Sequence, residues 1–278
     1  MFTDDTLSGQ SFLVTGGGTG LGRAMVQAFH DAGASVGILG RRTAPLEQAV
    51  AELGERAAWA SADVREPDAV EAAIASIEDQ IGPLTGLVNN AAGNFLSCAE
   101  DLSARAFSTV IDIVLNGTFH CTQALGKRWI ERESGGRVLN IVTTYAWMGS
   151  AFVLPSACAK SGVLAMTRSL AVEWATYGIR LNAIAPGPFP TEGAFSRLMP
   201  PQMMEEARKA VPLQRFGKPE ELGQLATYMM SDMASYMTGE CVTLDGGEWL
   251  QNGQEFGRFT RHPREQVKAV LGAMKPKK

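Results

Sequence analysis

Glycines follow an apolar run near the start of the chain, and their spacing suits a phosphate-binding turn. The stretch Thr15–Gly22 reads Thr-Gly-Gly-Gly-Thr-Gly-Leu-Gly and comes directly after Phe12-Leu13-Val14. A strand that turns through glycines into a helix presents free backbone N–H groups and the positive end of a helix dipole, which together suit a pyrophosphate. Gly16 permits the tight turn, Gly20 lets phosphates approach the backbone, and Gly22 lets the helix pack closely on the strand. The pattern favours a dinucleotide site over an unliganded strand-to-helix turn. The predicted cofactor contacts are Gly16, Gly17, Gly18, Thr19, Gly20 and Leu21.

Two arginines follow the second predicted strand, where a dinucleotide site selects its cofactor. The strand covers 35–39, and Gly40-Arg41-Arg42 comes at its end. A protein that uses NAD tends to place a carboxylate here to accept from the adenosine ribose hydroxyls, whereas guanidinium groups pair with a 2′-phosphate. Arg41 and Arg42 therefore favour NADP over NAD, and a pair of solvated surface arginines is the alternative.

Acidic, amide and small residues follow the next two predicted strands. Asp63 comes after a strand over 57–61, and it either accepts from an adenine amino group or caps a turn before Pro67. The run Asn89-Asn90-Ala91-Ala92-Gly93-Asn94-Phe95 follows a strand over 84–88. Small residues and a glycine at a strand end indicate close approach of the backbone to a ligand.

Strand and helix signals alternate along the whole chain. Predicted helices lie at 45–53, 68–81, 103–131, 156–177, 219–230 and 263–274, and further strands at 138–142, 179–183 and 241–244. Ser103 is a good N-cap for the long helix, and Asn116 interrupts its apolar face, where a buried amide needs partners.

A long irregular stretch from Pro186 to about Phe216 is unusual in a compact domain. We expect it to form a lid over a pocket, with helical signals at 202–210. No internal repeat or linker divides the sequence. One domain over 1–278 is therefore the simplest organisation, with the lid at about 190–216 and a C-terminal extension at about 249–278.

Composition and charge argue against several classes of protein. The 278 residues are 45% hydrophobic and 19% charged, which is typical of globular proteins, and the net charge of −4 gives no hint of nucleic-acid binding. The cysteines form no C-x-x-C pair and the histidines are isolated, so neither a metal site nor a disulfide framework is expected. The acidic first residues contain no signal-peptide core, no run reaches transmembrane length, and the last residues carry no Ser-Lys-Leu address. We expect a cytoplasmic protein with no membrane or nucleic-acid partner.

These residues, in this order, resemble the short-chain dehydrogenase/reductase family over nearly the whole chain. The shared features are the Thr-Gly-x-x-x-Gly-x-Gly turn, the Asn-Asn-Ala-Ala-Gly run, Asn116 within its helix, Thr143 at a strand end and the Pro186-Gly187 loop. The resemblance implies a Rossmann-type α/β fold with a doubly wound parallel sheet of about seven strands. It also implies a nicotinamide cofactor and commonly a homotetramer.

One departure from the family pattern is informative. The usual helix motif is Tyr-x-x-x-Lys, whereas here Ser156 stands four residues before Lys160. A tyrosine occurs instead at Tyr145, just after the strand, and this relocation resembles the NADPH-dependent 2,4-dienoyl-CoA reductases of the same superfamily. Further matches to that subgroup lie at 93–95, 112–118, 193–198 and 253–256.

The resemblance implies roles for the residues of a catalytic site. Tyr145 and Asn94 would donate hydrogen bonds to the thioester oxygen of a dienoyl-CoA as charge develops there. Lys160 would hold the nicotinamide ribose, and Ser156 and Asn116 would orient it. The further implied cofactor contacts are Asp63, Val64, Asn90, Ala91, Pro186, Gly187, Pro188, Phe189 and Thr191. The implied contacts with an acyl-CoA substrate are Arg41, Arg65, Phe95, Ser103 and Arg197.

Two other functions stay open at this point. A 3-oxoacyl-thioester reductase, or another carbonyl reductase on the same fold, would use Tyr145 as its acid, and Ser156 speaks against it. A catalytically silent NADP-binding regulator would have lost its tyrosine without replacement. The presence of Lys160, Asn94 and Tyr145 together argues against that reading.

Overall fold

Seven parallel strands form one sheet in the computed structural model of the chain, which describes residues 3–191, 203–254 and 257–274. The strands are β1 (Ser11–Thr15), β2 (Ser35–Gly40), β3 (Ala57–Ser61), β4 (Gly86–Asn89), β5 (Gly136–Ile141), β6 (Ile179–Pro186) and β7 (Cys241–Leu244). Their order across the sheet is β3-β2-β1-β4-β5-β6-β7. The direction of winding reverses between β1 and β4, and open α/β sheets bind their ligands in the crevice that such a reversal leaves at the carboxyl ends of the strands.

Helices cover both faces of the sheet. They are α1 (Gly20–Asp31), α2 (Thr43–Leu53), α3 (Pro67–Ile81), α4 (Ala104–Ile111), α5 (Gly117–Glu131), α6 (Tyr145–Met148), α7 (Leu154–Glu173), α8 (Met204–Ala210), α9 (Pro219–Met230), α10 (Glu248–Gly253) and α11 (Arg264–Ala273). The predicted fold class, a Rossmann-type doubly wound sheet of about seven strands, is confirmed.

Alternation along the strands divides the core into two layers. Val14 belongs to the cluster that contains Phe29 of α1 and Met230 of α9. Its neighbour Leu13 belongs to the cluster with Ile77 of α3 and Trp129 of α5. Successive side chains of a strand point to opposite faces, and both faces of this sheet are covered by helices. The strands therefore read as continuous apolar runs whose carboxyl ends are held in fixed positions.

The predicted long helix over 103–131 is correct in extent but wrong in regularity. A π-helical turn over Asp112–Asn116 separates α4 from α5. Such a turn inserts an extra residue and shifts the faces on either side of it. Asn116 is consequently exposed rather than buried, and its amide donates to the Asp112 carboxylate at 2.9 Å.

Several predicted boundaries also differ from the structure. The helix predicted at 156–177 runs from Leu154 to Glu173, and the strand predicted at 179–183 continues to Pro186. Pro155 in the first turn of α7 has no N–H to lose there, so the helix begins before Ser156. The strand continues to Pro186 because Gly187 still donates to the Leu244 carbonyl of β7.

The predicted lid is described only in part. Residues 192–202, and with them Arg197, lie outside the described residues, while the helix predicted at 202–210 is α8. Across the described part of the chain, no helix has both the length and the apolar character needed to cross a membrane.

Candidate active site

The glycine turn after β1 is tied to the end of β4 by side-chain hydrogen bonds. The backbone N–H groups of Asn90 and Ala91 both donate to the Thr15 hydroxyl, each at 3.0 Å. The Asn90 amide donates in return to the Thr15 carbonyl at 3.0 Å. These bonds hold the two strand ends on either side of the crevice, so Asn90 and Ala91 act through the shape of the turn.

The turn requires glycine at two positions for different reasons. Gly16 has φ of 66°, a left-handed conformation that glycine adopts without steric cost. A Cβ on Gly22 would lie 2.3 Å from the Gly16 carbonyl oxygen, so only a residue without a side chain lets α1 approach the turn. The first helical residue is Gly20, and a Cβ built on it has Thr191 as its nearest neighbour, at 3.6 Å. Bare backbone at a helix N-terminus fits the pyrophosphate of a dinucleotide.

Charged residues gather beyond the ends of β2 and β3. Arg41 and Arg42 are exposed, and an Arg41 guanidinium nitrogen lies 3.9 Å from an Asp63 carboxylate oxygen. Asp63 is held mainly by Arg65, whose guanidinium Nη2 donates to it at 2.6 Å and whose backbone N–H donates at 3.1 Å. Hydrogen bonds from Arg65 keep the pKa of Asp63 below its usual range, although burial acts against them. Asp63 therefore caps a turn, which is one of its two predicted roles, and the lowered pKa favours its ionised form.

Two of the predicted cofactor contacts, Val64 and Leu21, have side chains in the core. The Val64 side chain is buried, and its carbonyl oxygen lies 2.9 Å from the His120 ring nitrogen. Leu21 is partly buried and packs against the core. Their contacts with a cofactor stay predictions.

Three polar side chains converge at the carboxyl end of β5. The Tyr145 hydroxyl lies 3.0 Å from the Ser156 hydroxyl and 3.5 Å from the Asn94 amide nitrogen. The Asn94 carbonyl oxygen accepts from the Phe95 N–H at 2.9 Å, so its NH₂ group faces Tyr145. The phenol and the amide, two groups that can donate hydrogen bonds, thus lie side by side, with the amide NH₂ directed at the phenol oxygen.

The short helix α6 that carries Tyr145 is fastened to α7. The Ser161 hydroxyl donates to the Ala146 carbonyl at 2.6 Å, and Ala146 is buried. With Ser156 bonded to the phenol of Tyr145, two serines of α7 fix one turn of helix. No sequence signal marks Ser161, since a helix-interior serine usually bonds only within its own helix, as this hydroxyl also does to the Ala157 carbonyl at 2.8 Å.

Lys160 is the buried cation of the site. Its side chain is only 6% exposed, and its ammonium donates to the Ile141 carbonyl at the end of β5. Burial lowers the pKa of Lys160 from 10.5 to about 8, because desolvation disfavours the charged form. The Lys160 ammonium therefore becomes a neutral amine in slightly alkaline solution.

Two buried polar features beside the strand ends were not predicted as site elements. The Thr143 hydroxyl is buried with no partner in the described part of the chain. A buried polar atom of this kind normally has a partner, and a bound ligand at the site would provide one. Asn89 donates to Thr122 and Asn140, each at 2.9 Å, which sets the spacing between β4 and β5.

The loop after β6 packs against the end of β7. A Cβ on Gly187 would lie 2.5 Å from the Asp245 Cβ, and Phe189 is buried under Gly217. Pro188 accepts from the Gly217 N–H at 3.1 Å. Pro186 to Phe189 are therefore held in place against the end of β7, and their contact with a cofactor stays a prediction.

The structure describes four of the five predicted substrate residues, Arg41, Arg65, Phe95 and Ser103. Phe95 packs beside the cluster that contains Ala146. The Ser103 hydroxyl accepts from the Ala106 N–H at 3.2 Å, which confirms it as the N-cap of α4. Arg65 is half-exposed and paired with Asp63, and Arg197 lies outside the described residues. No group of three or more potential metal ligands occurs within 3–191, 203–254 and 257–274.

Comparison with known proteins identifies relatives that are similar over most of the chain. The model of the enoyl-(acyl carrier protein) reductase family matches residues 16–248. A Bacillus subtilis protein named a probable 2,4-dienoyl-CoA reductase, (2E)-enoyl-CoA-producing, is 44% identical over 87% of this chain and 97% of its own length. An Arabidopsis thaliana protein named peroxisomal 2,4-dienoyl-CoA reductase, (3E)-enoyl-CoA-producing, is 37% identical over 98% of this chain and 93% of its own.

A solved structure agrees with these relatives. The crystal structure of a short-chain dehydrogenase from Bacillus anthracis is 45% identical and superimposes with a TM-score of 0.80, over 86% of this chain and 96% of that one. The glycine turn, the strand order of the sheet and these similarities all indicate the same family. The chain belongs to the short-chain dehydrogenase/reductase family and is an oxidoreductase, with the fold by which that family binds a nicotinamide dinucleotide.

Proposed function

We propose that this protein reduces 2,4-dienoyl-CoA thioesters to trans-3-enoyl-CoA with NADPH. The observation that carries the proposal is the convergence of the Tyr145 hydroxyl and the Asn94 amide at the end of β5, 3.5 Å apart. The names of the relatives from Bacillus subtilis and Arabidopsis support the same substrate class.

Reduction of a conjugated thioester develops charge at its carbonyl oxygen. A bound nicotinamide cofactor would supply hydride chemistry at the far end of the diene, and charge would then develop through the conjugated bonds at the thioester oxygen. Tyr145 and Asn94 stabilise that oxyanion as hydrogen-bond donors placed where charge appears. Solvent water then protonates the dienolate on carbon. No side chain needs to give up its proton, which explains why Ser156 is compatible with turnover where a carbonyl reductase has its acid.

Lys160, Ser156 and Asn116 hold this geometry. The Lys160 ammonium binds the nicotinamide ribose hydroxyls and adds positive charge near the oxyanion. Ser156 fixes the Tyr145 phenol at 3.0 Å. Asn116, exposed at the end of the π-helical turn, orients Lys160 through water rather than by direct contact.

Arg41 and Arg42 select NADPH over NADH in this proposal. Both are exposed at the end of β2, where the 2′-phosphate of the adenosine ribose would lie. Asp63 accepts from the adenine amino group, and the glycine turn holds the pyrophosphate. Pro186 to Phe189 and Thr191 hold the carboxamide.

The coenzyme A half of the substrate would meet arginines. Arg41, Arg65 and Arg197 suit its phosphates, and Phe95 and Ser103 line the path between them and the donors. The relatives differ in the product that their names state. Protonation of the dienolate at C2 gives the 3-enoyl product that we propose, whereas protonation at C4 would give the 2-enoyl product.

Steady-state assays with two substrates test the proposal. NADPH oxidation is measured with a 2,4-dienoyl-CoA and separately with acetoacetyl-CoA. The proposal predicts turnover of the diene and little with the ketone. Turnover of the ketone alone would assign the protein to the carbonyl reductases, and NADPH binding with no turnover of either would favour a regulator.

The assembly and compartment are part of the same proposal. We infer a homotetramer in the cytoplasm from the family resemblance, and light scattering should give four times the 29.7 kDa of one chain. A fluorescent fusion confined to organelles would contradict the compartment.

A further inference from the structure

Two arginines lie beside one carboxylate beyond the ends of β2 and β3, and they bind it unequally. The Arg65 guanidinium donates to Asp63 from Nη2 at 2.6 Å and from Nε to the two carboxylate oxygens at 3.0 and 3.1 Å. Arg41 Nη1 lies 3.9 Å from Asp63 Oδ2. Charge-assisted hydrogen bonds from a guanidinium fork are short and strong, whereas 3.9 Å exceeds the length of a hydrogen bond. Asp63 is therefore paired with Arg65, and Arg41 is only a neighbour of that pair.

The turn after β3 explains why Arg65 holds the carboxylate. The Arg65 backbone N–H donates to Asp63 Oδ1 at 3.1 Å, so one residue brings both its backbone and its side chain to the same group. An Asp side chain commonly accepts in this way from the backbone two residues further on. The Arg41 side chain is 63% exposed, and no side chain of the described ranges accepts a hydrogen bond from it. Its guanidinium is therefore available to a ligand.

Backbone hydrogen bonds hold Arg41 at the end of β2. The Ser61 hydroxyl donates to the Arg41 carbonyl at 3.3 Å, and the Ala62 N–H donates to the Gly40 carbonyl at 3.0 Å. The main chain is thus fixed, and only the Arg41 side chain can exchange one partner for another. In the proposed site its two partners are the Asp63 carboxylate and the 2′-phosphate of the cofactor. The carboxylate competes with the phosphate for Arg41 unless another cation occupies it.

We propose that Arg65 is a positioning residue for cofactor selection, an inference that rests on the proposed use of NADPH. By holding Asp63, Arg65 keeps Arg41 available for the 2′-phosphate. Without Arg65, the Asp63 carboxylate draws the Arg41 guanidinium across the remaining 3.9 Å, and an ion pair within the protein replaces the contact with the ligand. NADH carries no 2′-phosphate, so its affinity depends little on which arginine holds Asp63. Loss of Arg65 therefore weakens the binding of NADPH selectively.

Calorimetric titration with NADPH and with NADH tests the inference, and the preference is the Kd for NADH divided by the Kd for NADPH. Arg65→Ala should lower the preference about three- to tenfold, a modest change because solvent screens charges that are partly exposed. The Kd for NADH should stay within about twofold, since that cofactor makes no contact through a 2′-phosphate. Arg65→Lys keeps the charge but lacks the fork and should lose less. The matched control is Arg264→Ala, which removes an exposed arginine from α11 and should leave the preference unchanged.

A double-mutant cycle separates action through Arg41 from a direct contact between Arg65 and the phosphate. In the Arg41→Ala background, Arg65→Ala should change the preference less than about twofold, because the residue through which Arg65 acts is absent. Two arginines that each contacted the phosphate directly would instead give equal losses in both backgrounds. A merely structural role of Arg65 would weaken NADPH and NADH alike and leave the preference unchanged. Either of these two results would overturn the inference.

Cofactor binding can be measured whether or not the protein reduces a dienoyl-CoA. If the wild-type protein prefers NADPH, the cycle is non-additive and no diene is reduced, the proposed reaction fails and the role of Arg65 stands. If the diene is reduced with NADPH and the cycle is additive, the proposed function stands and the role of Arg65 is wrong. A wild-type protein that binds both cofactors equally would overturn the role of Arg65 together with the assignment of Arg41.

Discussion

The two halves of the sheet build their parts of the crevice from different materials. At the ends of β1 and β4 the crevice is made of backbone, with Gly16 and Gly22 allowing approaches that a Cβ would block. At the ends of β5 and β6 it is made of side chains. The Tyr145 phenol is held by Ser156, and Lys160 is a separate buried side chain. A dinucleotide presents the same phosphates in every enzyme that binds it, so bare backbone suffices. A reaction requires particular functional groups, and here these are side chains carried by the helices α6 and α7.

The largest effect is expected at the ends of β5 and β6, here called the side-chain half of the crevice. Tyr145→Phe should lower kcat about 100- to 1,000-fold with a dienoyl-CoA, because it removes an oxyanion donor. NADPH affinity, measured by fluorescence titration, should stay within about twofold. Ser156→Ala, which leaves the phenol in place, is the matched control and should lose about tenfold or less. Small and equal losses in the two variants would remove Tyr145 from its role.

The ends of β1 and β4, here called the backbone half of the crevice, should lose stability when a single methyl group is added. Gly22→Ala places a Cβ 2.3 Å from the Gly16 carbonyl oxygen, so α1 must shift away from the turn. We expect a loss of about 2 to 4 kcal/mol in the free energy of unfolding, measured in urea, together with weaker NADPH binding. Gly272→Ala is the control, since a Cβ there meets nothing within 4 Å and alanine favours a helix. Equal stability of the two variants would show that the turn is not closely packed.

The preference for NADPH over NADH should depend on the positive charges of Arg41 and Arg42. The double variant Arg41→Ala/Arg42→Ala should weaken NADPH binding about tenfold or more and change NADH binding little, because only NADPH carries the 2′-phosphate. Arg264→Ala removes an exposed arginine from α11 and serves as the control. A wild-type preference for NADH would contradict the assignment of these two arginines.

The smallest effect concerns pH and again belongs to the side-chain half. Because burial lowers the pKa of Lys160 to about 8, its ammonium is lost as the pH rises through that value. We therefore expect kcat/KM to fall severalfold between about pH 7 and pH 9. A Lys160→Arg variant, less active throughout, should show no such fall, since guanidinium stays charged. A wild-type profile that is flat to pH 10 would exclude a role for the protonated amine.

The sequence predicted the backbone half more completely than the side-chain half. Apolar runs and glycine spacing placed the strands and the phosphate turn, because those features depend on local pattern. The π-helical turn that exposes Asn116 could not be predicted, since each of its residues suits an ordinary helix. The Asp63–Arg65 pair and the Trp147–Trp249 contact were also missed, because they depend on side-chain directions and distant packing. The roles of the predicted site residues stay predictions.

The most direct test of the central claim locates the transferred hydride. NADPH deuterated at C4, on each face in turn, is used to reduce a 2,4-dienoyl-CoA, and the product is analysed by NMR and mass spectrometry. Our account predicts one deuterium at C5 of the acyl chain and a double bond between C3 and C4. Deuterium at any other carbon would contradict a dienolate held at its oxygen by Tyr145 and Asn94, and a product with its double bond between C2 and C3 would show that water protonates the dienolate at C4 rather than at C2.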